Sequence, residues 1–353
     1  IGEDDIRLRD RRWYADHGIA LITGDAAASL DTSARTVTLA SGRRLPFDRA
    51  VLATGSNPIR PPVPGSDLRG VLTFRDMADI AAMRSLAARG GPAIVIGGGL
   101  LGIEAAYGLA RAGIGVTLIH LMDRLMERQL DARAAALLRQ AMAARGIDVV
   151  LQAETAAITG DGQADGVLLK DGRRIDGSLV VFAIGIRPQG ELARAAGLAC
   201  NRGIIVDDAL ATSAPGIFAI GECAEHRGQC YGLVEPAYAQ ARVLAQRLTG
   251  EDAGYSGTVL ATNLKVSGVP VFSAGDFLGG EDCEEIILSD PGRPTYKKLV
   301  IRRIDGSQKL AGVVLFGDTA DGLWYLELIR SATAIDRMRG DLIFGRDFVG
   351  SAA

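Results

Sequence analysis

The sequence predicts an α/β protein: a parallel sheet crossed by helices, followed by a smaller α+β region. Three observations carry this. First, apolar strand-length runs alternate with helical periods: strand Ala93–Ile96, helix Leu101–Ala112, strand Val116–His120, helix Asp131–Arg145 and strand Asp148–Leu151. A βαβαβ order closes into a parallel sheet with right-handed crossovers. Second, 45 of the 353 residues are glycine, well above the roughly 7% average, so the chain needs many tight turns and close backbone approaches. Third, the texture changes from Thr258 onward. Strand-like segments Leu264–Val266, Val269–Ala274, Lys297–Arg302 and Ala311–Phe316 precede a helix at Gly322–Ala332, without intervening helical periods.

The remaining elements follow in chain order. Ile19–Thr23, Thr36–Leu39 and Ala50–Ala53 are short strands, aliphatic or β-branched and separated by turn formers. Pro58–Gly65 is proline-rich, lacks periodicity and reads as a stiff extended connector. Met77–Arg89 has a helical pattern. Asp171-Gly172 between Val167–Lys170 and Arg173–Asp176 is a hairpin signal. Leu179–Ile184 is wholly apolar, as an interior strand requires. Gly203–Val206 and Ile217–Ile220 are strands and Tyr238–Leu248 a helix.

Composition excludes several functions. At 48% hydrophobic and 23% charged residues the chain folds rather than staying disordered, and its length suits two or three domains. Thirty-nine basic against 42 acidic side chains leave a net charge of −3, which speaks against a nucleic-acid partner and against a polybasic membrane anchor. The most membrane-like window, Gly91–Ala110, contains Gly97, Gly98, Gly99, Gly102 and Glu104 and reads as strand–turn–helix rather than a span. No apolar leader is seen in IGEDDIRLRDRRWY, and a reduced, cytoplasmic setting is expected. Four cysteines and three histidines make neither a disulfide scaffold nor a metal cluster. Cys223 and Cys230 with His226 lack a second ligand pair and read as ordinary thiols. His17, beside Gly18, reads as a surface residue.

Gly97-Gly98-Gly99-Leu100-Leu101-Gly102 fits GxGxxG after a strand and at the start of a helix. Gly97 permits the tight turn, Gly99 admits a pyrophosphate to the backbone, and Gly102 lets helix and strand pack closely. The N–H groups of the helix's first turn then face the phosphates. This is the Rossmann arrangement for a dinucleotide. The ribose-binding acid usual about 20 residues on is replaced by His120, with Arg124 within a turn. A neutral imidazole does not repel a 2′-phosphate, so NADPH is permitted beside NADH; the alternative is that His120 merely caps its strand. Glu104 taken alone is a carboxylate favoured by the helix dipole, worth ~0.3–1 kcal/mol.

A second nucleotide site is visible in part. Ala53-Thr54-Gly55-Ser56 follows a short strand, and TSAPGIFAIGE ends a buried strand with Gly221 and Glu222, a glycine for close approach and an acid for polyol hydroxyls. The order ATGS, GGGLLGIE, AIGIRP and TSAPGIFAIGE resembles the pyridine nucleotide–disulfide oxidoreductase superfamily. WYADHGI, LMERQLD, GECAEHRGQCYGLVEP and LKVSGVPVFSAGDF are similar to the reductase part of the assimilatory NAD(P)H nitrite reductase large subunit. The resemblance spans nearly the whole chain.

It implies two Rossmann-like domains of the glutathione-reductase type, the first incomplete, plus a C-terminal α+β interface domain that builds dimers in this superfamily. The expected boundaries are 1–78 with 188–256 for FAD, 79–187 for NAD(P)H, and 257–353 for the interface. Thr54 and Gly55 would lie on the FAD diphosphate and adenosine side. Gly221 and Glu222 would meet its pyrophosphate and ribityl chain, and the helix near Pro236 would point at the flavin. Gly97, Gly99, Leu100, Leu101 and Gly102 would hold NAD(P)H with Gly185 beside its ribose, and Glu104 would sit at the nicotinamide. Most of the superfamily has Asp where Glu222 stands. The superfamily also opens with an FAD-binding GxGxxG, and none precedes Gly97; on the order of 60 further residues are expected ahead of Ile1. No CxxxxC is present, which speaks against disulfide reduction. Iron–sulfur and sirohaem groups are expected only in modules outside this chain. The implied activity is hydride transfer from NAD(P)H to FAD, then single electrons to an iron–sulfur acceptor. A rubredoxin or ferredoxin reductase is the close alternative, and a non-catalytic NAD(P)-binding fragment the distant one.

Overall fold

The computed structural model describes residues 3–264, 268–290 and 292–349. The chain forms two compact units, each assembled from two stretches: 1–57 with 186–258, and 58–185 with 259–353.

The first unit centres on a pair of parallel strands, Ala50–Leu52 and Ile217–Ala219. Beside them lie an antiparallel ladder of Ala27–Asp31, Thr36–Leu39 and Arg44–Pro46, and a mixed sheet in which Ile204–Val206 runs parallel to Ala224–His226 and Gln229–Cys230 antiparallel to it. Leu30, Leu52, Ile204, Leu210, Ile217, Ala219 and Leu244 are among its buried core. The strand expected at Ile19–Thr23 is not formed, and the run Ala27–Asp31 is a strand instead. Ile19 and Leu21 stand 46% and 41% exposed. Branched side chains favour extended backbone, but a strand exists only where a neighbour takes up its hydrogen bonds, and among the described residues nothing pairs with this run. The helix expected from Tyr238 begins a turn earlier, at Val234, with Pro236 third in it. Proline's missing N–H costs nothing in a first turn, whose N–H groups have no intrahelical acceptor.

The second unit carries a five-stranded parallel sheet in the order Val71–Thr73, Leu179–Phe182, Ala93–Ile96, Val116–Ile119, Ile147–Val150. Every residue of Ala93–Ile96 and Leu179–Phe182 is buried, as interior strands covered on both faces must be. Helices Met77–Ala87, Leu100–Arg111 and Ala132–Ala143 make the crossovers and lie within one or two residues of the sequence expectation. Asp76 and Asp131 cap the first and last of them, accepting from Asp79 N at 2.9 Å and Ala134 N at 3.0 Å. The Asp171-Gly172 turn joins Gly166–Leu169 to Arg174–Asp176, with Gly172 at φ +90°.

The C-terminal part is a five-stranded antiparallel sheet, ordered Ala261–Leu264, Val271–Gly275, Ser307–Phe316, Thr295–Ile304, Cys283–Asp290, with helix Gly322–Ser331 against it. Lys265 and Val266, expected to continue the first strand, lie outside the described residues. Leu264, Val271, Tyr296, Val314 and Phe316 join the core of the parallel sheet, and Tyr296 Oη donates to Asp131 Oδ2 at 2.6 Å. The α/β architecture with its Rossmann-like parallel sheet and antiparallel C-terminal sheet is therefore the one the sequence predicts. Among the described residues no helix is long and apolar enough to cross a membrane.

Candidate functional site

In the second unit, Gly97, His120 and Gly185 stand at or just beyond the C-terminal ends of the adjacent strands Ala93–Ile96, Val116–Ile119 and Leu179–Phe182. Ligands of open parallel sheets bind at that edge. Gly97 leaves its strand at φ +123°, and a Cβ there would lie 2.3 Å from the Ala183 carbonyl oxygen. Gly102, in the first turn of helix Leu100–Arg111, sits so close to Gly97 that a Cβ would meet the Gly97 oxygen at 1.7 Å. Gly99 differs from both: its backbone is ordinary, and a Cβ would find nothing within 4 Å.

The three glycines thus serve three separate purposes: a left-handed turn, open space, and close packing. Gly99 also caps the helix without any side-chain hydrogen bond. The first-turn amides of Leu100, Leu101 and Gly102 lie beyond this cap, at the positive end of the dipole. Leu101 is itself 37% exposed. These residues fit a dinucleotide pyrophosphate. Glu104, one turn further, is half-buried, and that burial pushes its carboxyl above the usual range. Burial disfavours the charged form of a carboxyl. Gly185, at φ +117°, accepts from Ile59 N at 3.0 Å through its carbonyl.

His120 stands at the end of strand Val116–Ile119 and is largely enclosed. It is 9% exposed, its Nδ1 accepts from Gly98 N at 3.0 Å, and its Nε2 lies 3.0 Å from Glu127 Oε2. Both ring nitrogens are thus engaged within the chain. Arg124 is close by, its Nη1 3.1 Å from Asp123 Oδ1. Glu127 escapes sequence reasoning that looks for the acid at the strand end itself. Its signal is its place in the LMERQLD run.

In the first unit the Thr54–Gly55 and Gly221–Glu222 turns follow the two parallel strands and lie side by side. Ile220 N donates to Leu52 O at 3.0 Å, and Ser56 Oγ donates to Glu222 Oε2 at 2.7 Å. Gly55 and Gly221 have φ of +69° and +78°. Thr54 Oγ1 is committed to the Gln189 carbonyl at 2.5 Å. Gln240, fully buried, accepts from Gly221 N at 2.6 Å. It comes from helix Val234–Leu248, whose N-terminus has no side-chain cap and carries Pro236. An acid, paired glycine turns and an uncapped helix end are groups that suit a polyol phosphate. Ser56 and Gln240 carry no motif, because the turns they brace are remote in sequence.

The four cysteines are free thiols, and burial is the largest influence raising Cys200 and Cys230 above the ordinary thiol value. Among the described residues no group of three His, Cys, Asp or Glu could hold a metal ion. His17 is exposed and stacked on Trp13 at 4.2 Å. His226 is buried, its Nε2 2.8 Å from Asp208 Oδ1.

Residues 5–241 match the model of the pyridine nucleotide-disulphide oxidoreductase family. The chain belongs to that family. Members of it work with FAD and NAD(P)H. Residues 261–333 match the rubredoxin NAD+ reductase C-terminal domain. Among curated relatives, the chain is 46% identical to the nitrite reductase [NAD(P)H] of Bacillus subtilis (strain 168) over 332 residues, covering 94% of this chain and 41% of the relative. It is 42% identical to the assimilatory nitrate reductase electron transfer subunit of the same organism over 319 residues, covering 90% and 41%. The chain thus spans about two-fifths of the length of these relatives. Of solved structures, the ferredoxin reductase for the CYP199A2 system from Rhodopseudomonas palustris superposes with a TM-score of 0.85 at 27% identity, covering 97% of this chain and 86% of that one.

Proposed function

We propose that this chain is the reductase part of an NAD(P)H nitrite reductase: NAD(P)H is oxidised, FAD is the intermediate carrier, and an iron–sulfur centre outside the chain receives the electrons. Residues 79–187 would hold NAD(P)H, 1–78 with 188–256 would hold FAD, and 257–353 would form an interface domain between two copies in a cytoplasmic enzyme. When bound, the nicotinamide supplies hydride and the flavin converts that two-electron input into single electrons.

The residues' own work is to bind and orient. Gly97 turns the chain, Gly99 leaves room for the pyrophosphate, and the amides of Leu100, Leu101 and Gly102 donate to it. Gly185 passes beside the ribose. The half-buried Glu104 carboxyl, one turn into the helix, would accept from the carboxamide of the nicotinamide. Arg124 remains the group to meet a ribose 2′ substituent. On the other unit, Glu222, held by Ser56, would accept from ribityl hydroxyls. Thr54, Gly55 and Gly221 would line the diphosphate, and the helix end at Pro236 would favour negative charge on the flavin.

The observation that carries this reading is the open space above Gly99, over an uncapped helix end, between two glycines whose neighbours leave no such room. The test is calorimetric titration of the purified chain with NADH, NADPH and ADP-ribose, then anaerobic mixing with FAD and NADH. Saturable binding followed by bleaching of oxidised flavin near ~450 nm is the expected result. Absence of nucleotide binding would overturn the reading. A ferredoxin or rubredoxin reductase is the second reading, supported by the C-terminal match at 261–333. Faster electron delivery to a free rubredoxin or ferredoxin than to an iron–sulfur segment encoded downstream would favour it.

A further inference from the structure

GxGxxG requires Gly97, Gly99 and Gly102 and leaves the second position open, yet that position is Gly98. The structure gives it a reason. A Cβ on Gly98 would lie 2.6 Å from His120 Cγ and 2.7 Å from Leu125 Cδ2, so the imidazole is laid directly over this residue. Both of its backbone polar groups are taken by the segment that follows strand Val116–Ile119: Gly98 N donates to His120 Nδ1 at 3.0 Å, and the Gly98 carbonyl accepts from Met126 N at 2.9 Å. Met126 is fully buried at φ +51°, a left-handed conformation that costs a non-glycine residue on the order of 1 kcal/mol. In that conformation its N–H meets the Gly98 carbonyl. Behind the ring, Glu127 Oε2 sits 3.0 Å from Nε2.

Only the tautomer with a bare Nδ1 and a protonated Nε2 can accept from Gly98 and donate to Glu127, and the carboxylate selects it. We propose that His120 and Glu127 are a positioning pair that fixes the Gly98 peptide, and through it the pyrophosphate-binding turn, so that coenzyme affinity depends on an acceptor at the place of His120 Nδ1. This rests on the coenzyme reading given above. It differs in a measurable way from the expectation that His120, in place of an acid, sets the tolerance for a ribose 2′-phosphate. The pyrophosphate is common to NADH and NADPH, so loosening its cradle weakens both alike, whereas losing a ribose contact changes their ratio.

The test is titration of the purified chain and of His120→Leu, His120→Asn and Glu127→Leu with NADH and NADPH, together with the ¹⁵N shifts of His120 in the unaltered chain. Asparagine Oδ1 restores an acceptor where Nδ1 was. His120→Leu should weaken both coenzymes by the same factor, about tenfold for one lost hydrogen bond, and Glu127→Leu, which keeps Nδ1 but no longer selects the tautomer, should weaken both equally but by less, about threefold. His120→Asn should stay within about threefold of the parent, and the shifts should show a bare Nδ1. Unchanged affinity in His120→Leu, no rescue by asparagine, a change in the NADH to NADPH ratio, or a protonated Nδ1 would each overturn the proposal. If His120→Leu does not fold, Glu127→Leu and the tautomer measurement decide. A parent chain that binds neither coenzyme would bring down the coenzyme reading itself, which is a different outcome from a parent that binds and a variant that binds equally well.

Discussion

Three glycines of one short stretch should respond to the same substitution in three different ways. Gly99, Gly102 and Gly108 lie at or within helix Leu100–Arg111, and none has a positive φ. In an open helix interior, Ala is favoured over Gly by about 1 kcal/mol. Gly108 is exposed with nothing within 4 Å of its Cβ position, so Gly108→Ala should stabilise by roughly 0.5–1 kcal/mol. At Gly102 the same methyl would come 1.7 Å from the Gly97 carbonyl oxygen. Relief requires the helix to move more than an ångström away from the strand it follows, and the obstacle is backbone rather than a flexible side chain. Overpacking of this kind costs about 1–3 kcal/mol or more. Set against the propensity gain, Gly102→Ala should lose about 1 kcal/mol or more net. Gly99→Ala meets no atom, and its only structural penalty is a poorer helix cap, worth about 0.5 kcal/mol. Its methyl instead occupies the space assigned to the pyrophosphate, so its effect should appear in NADH affinity, reduced about tenfold or more. Urea unfolding and calorimetric titration of the three variants separate these effects. Midpoints should rank Gly108→Ala highest, then the parent, then Gly99→Ala, with Gly102→Ala lowest. A Gly102→Ala protein as stable as the parent would refute the packing argument. Parent-like NADH binding by Gly99→Ala would refute the assignment of the cradle.

The remaining predictions concern other parts of the chain. Tyr296 is 1% exposed and donates to the same carboxylate that caps helix Ala132–Ala143. Tyr296→Phe should therefore cost about 1 kcal/mol in urea unfolding and Asp131→Ala about 2–3, since the latter loses the cap and orphans a buried hydroxyl. Asp208 is held at about 2, down from an ordinary 3.8, by hydrogen bonds from Arg227 and His226. A depressed carboxylate contributes stability above its unfolded value that disappears as the pH falls through the folded one. Stability measured against pH should thus decline between about pH 4 and 2 more steeply in the parent than in Asp208→Asn, and equal slopes would refute the linkage. Gln240→Leu leaves the Gly221 amide without the acceptor it has at 2.6 Å. It should cost about 1–3 kcal/mol and weaken FAD retention, read from the flavin absorbance that remains after gel filtration.

What the sequence makes legible is what local spacing encodes. The parallel sheet can be read because apolar runs and helical periods alternate within one stretch. The dinucleotide turn can be read because its glycines sit two and three residues apart on one corner. What cannot be read depends on partners distant in the chain. Ile19–Thr23 has a strand's composition but no strand beside it among the described residues. Ser289, Glu285 and their neighbours form the long strand Cys283–Asp290 that no alternation announces. Lys297 and Lys298, which the sequence already places in a strand, show what strand composition leaves unread. Two consecutive lysines suggest a solvated edge, yet they are only 6% and 4% exposed.

Their ammonium groups lie 2.7 Å from Asp318 and 2.6 Å from Glu285. Consecutive strand residues point to opposite faces, so each lysine needs its own acid, and each acid comes from another element. Burial of charge is tolerated only with such a partner, and a partner 13 or 21 residues away cannot be inferred from composition. The same reasoning applies at the site. Gly98, His120 and Glu127 are separated by a helix, a strand and an irregular loop, so neither period nor spacing links them. Yet the sequence does contain their trace, as a glycine where the fingerprint asks for none. A residue type that a motif leaves free but the chain restricts marks a contact from elsewhere, and here that contact is an imidazole 2.6 Å from where a Cβ would stand.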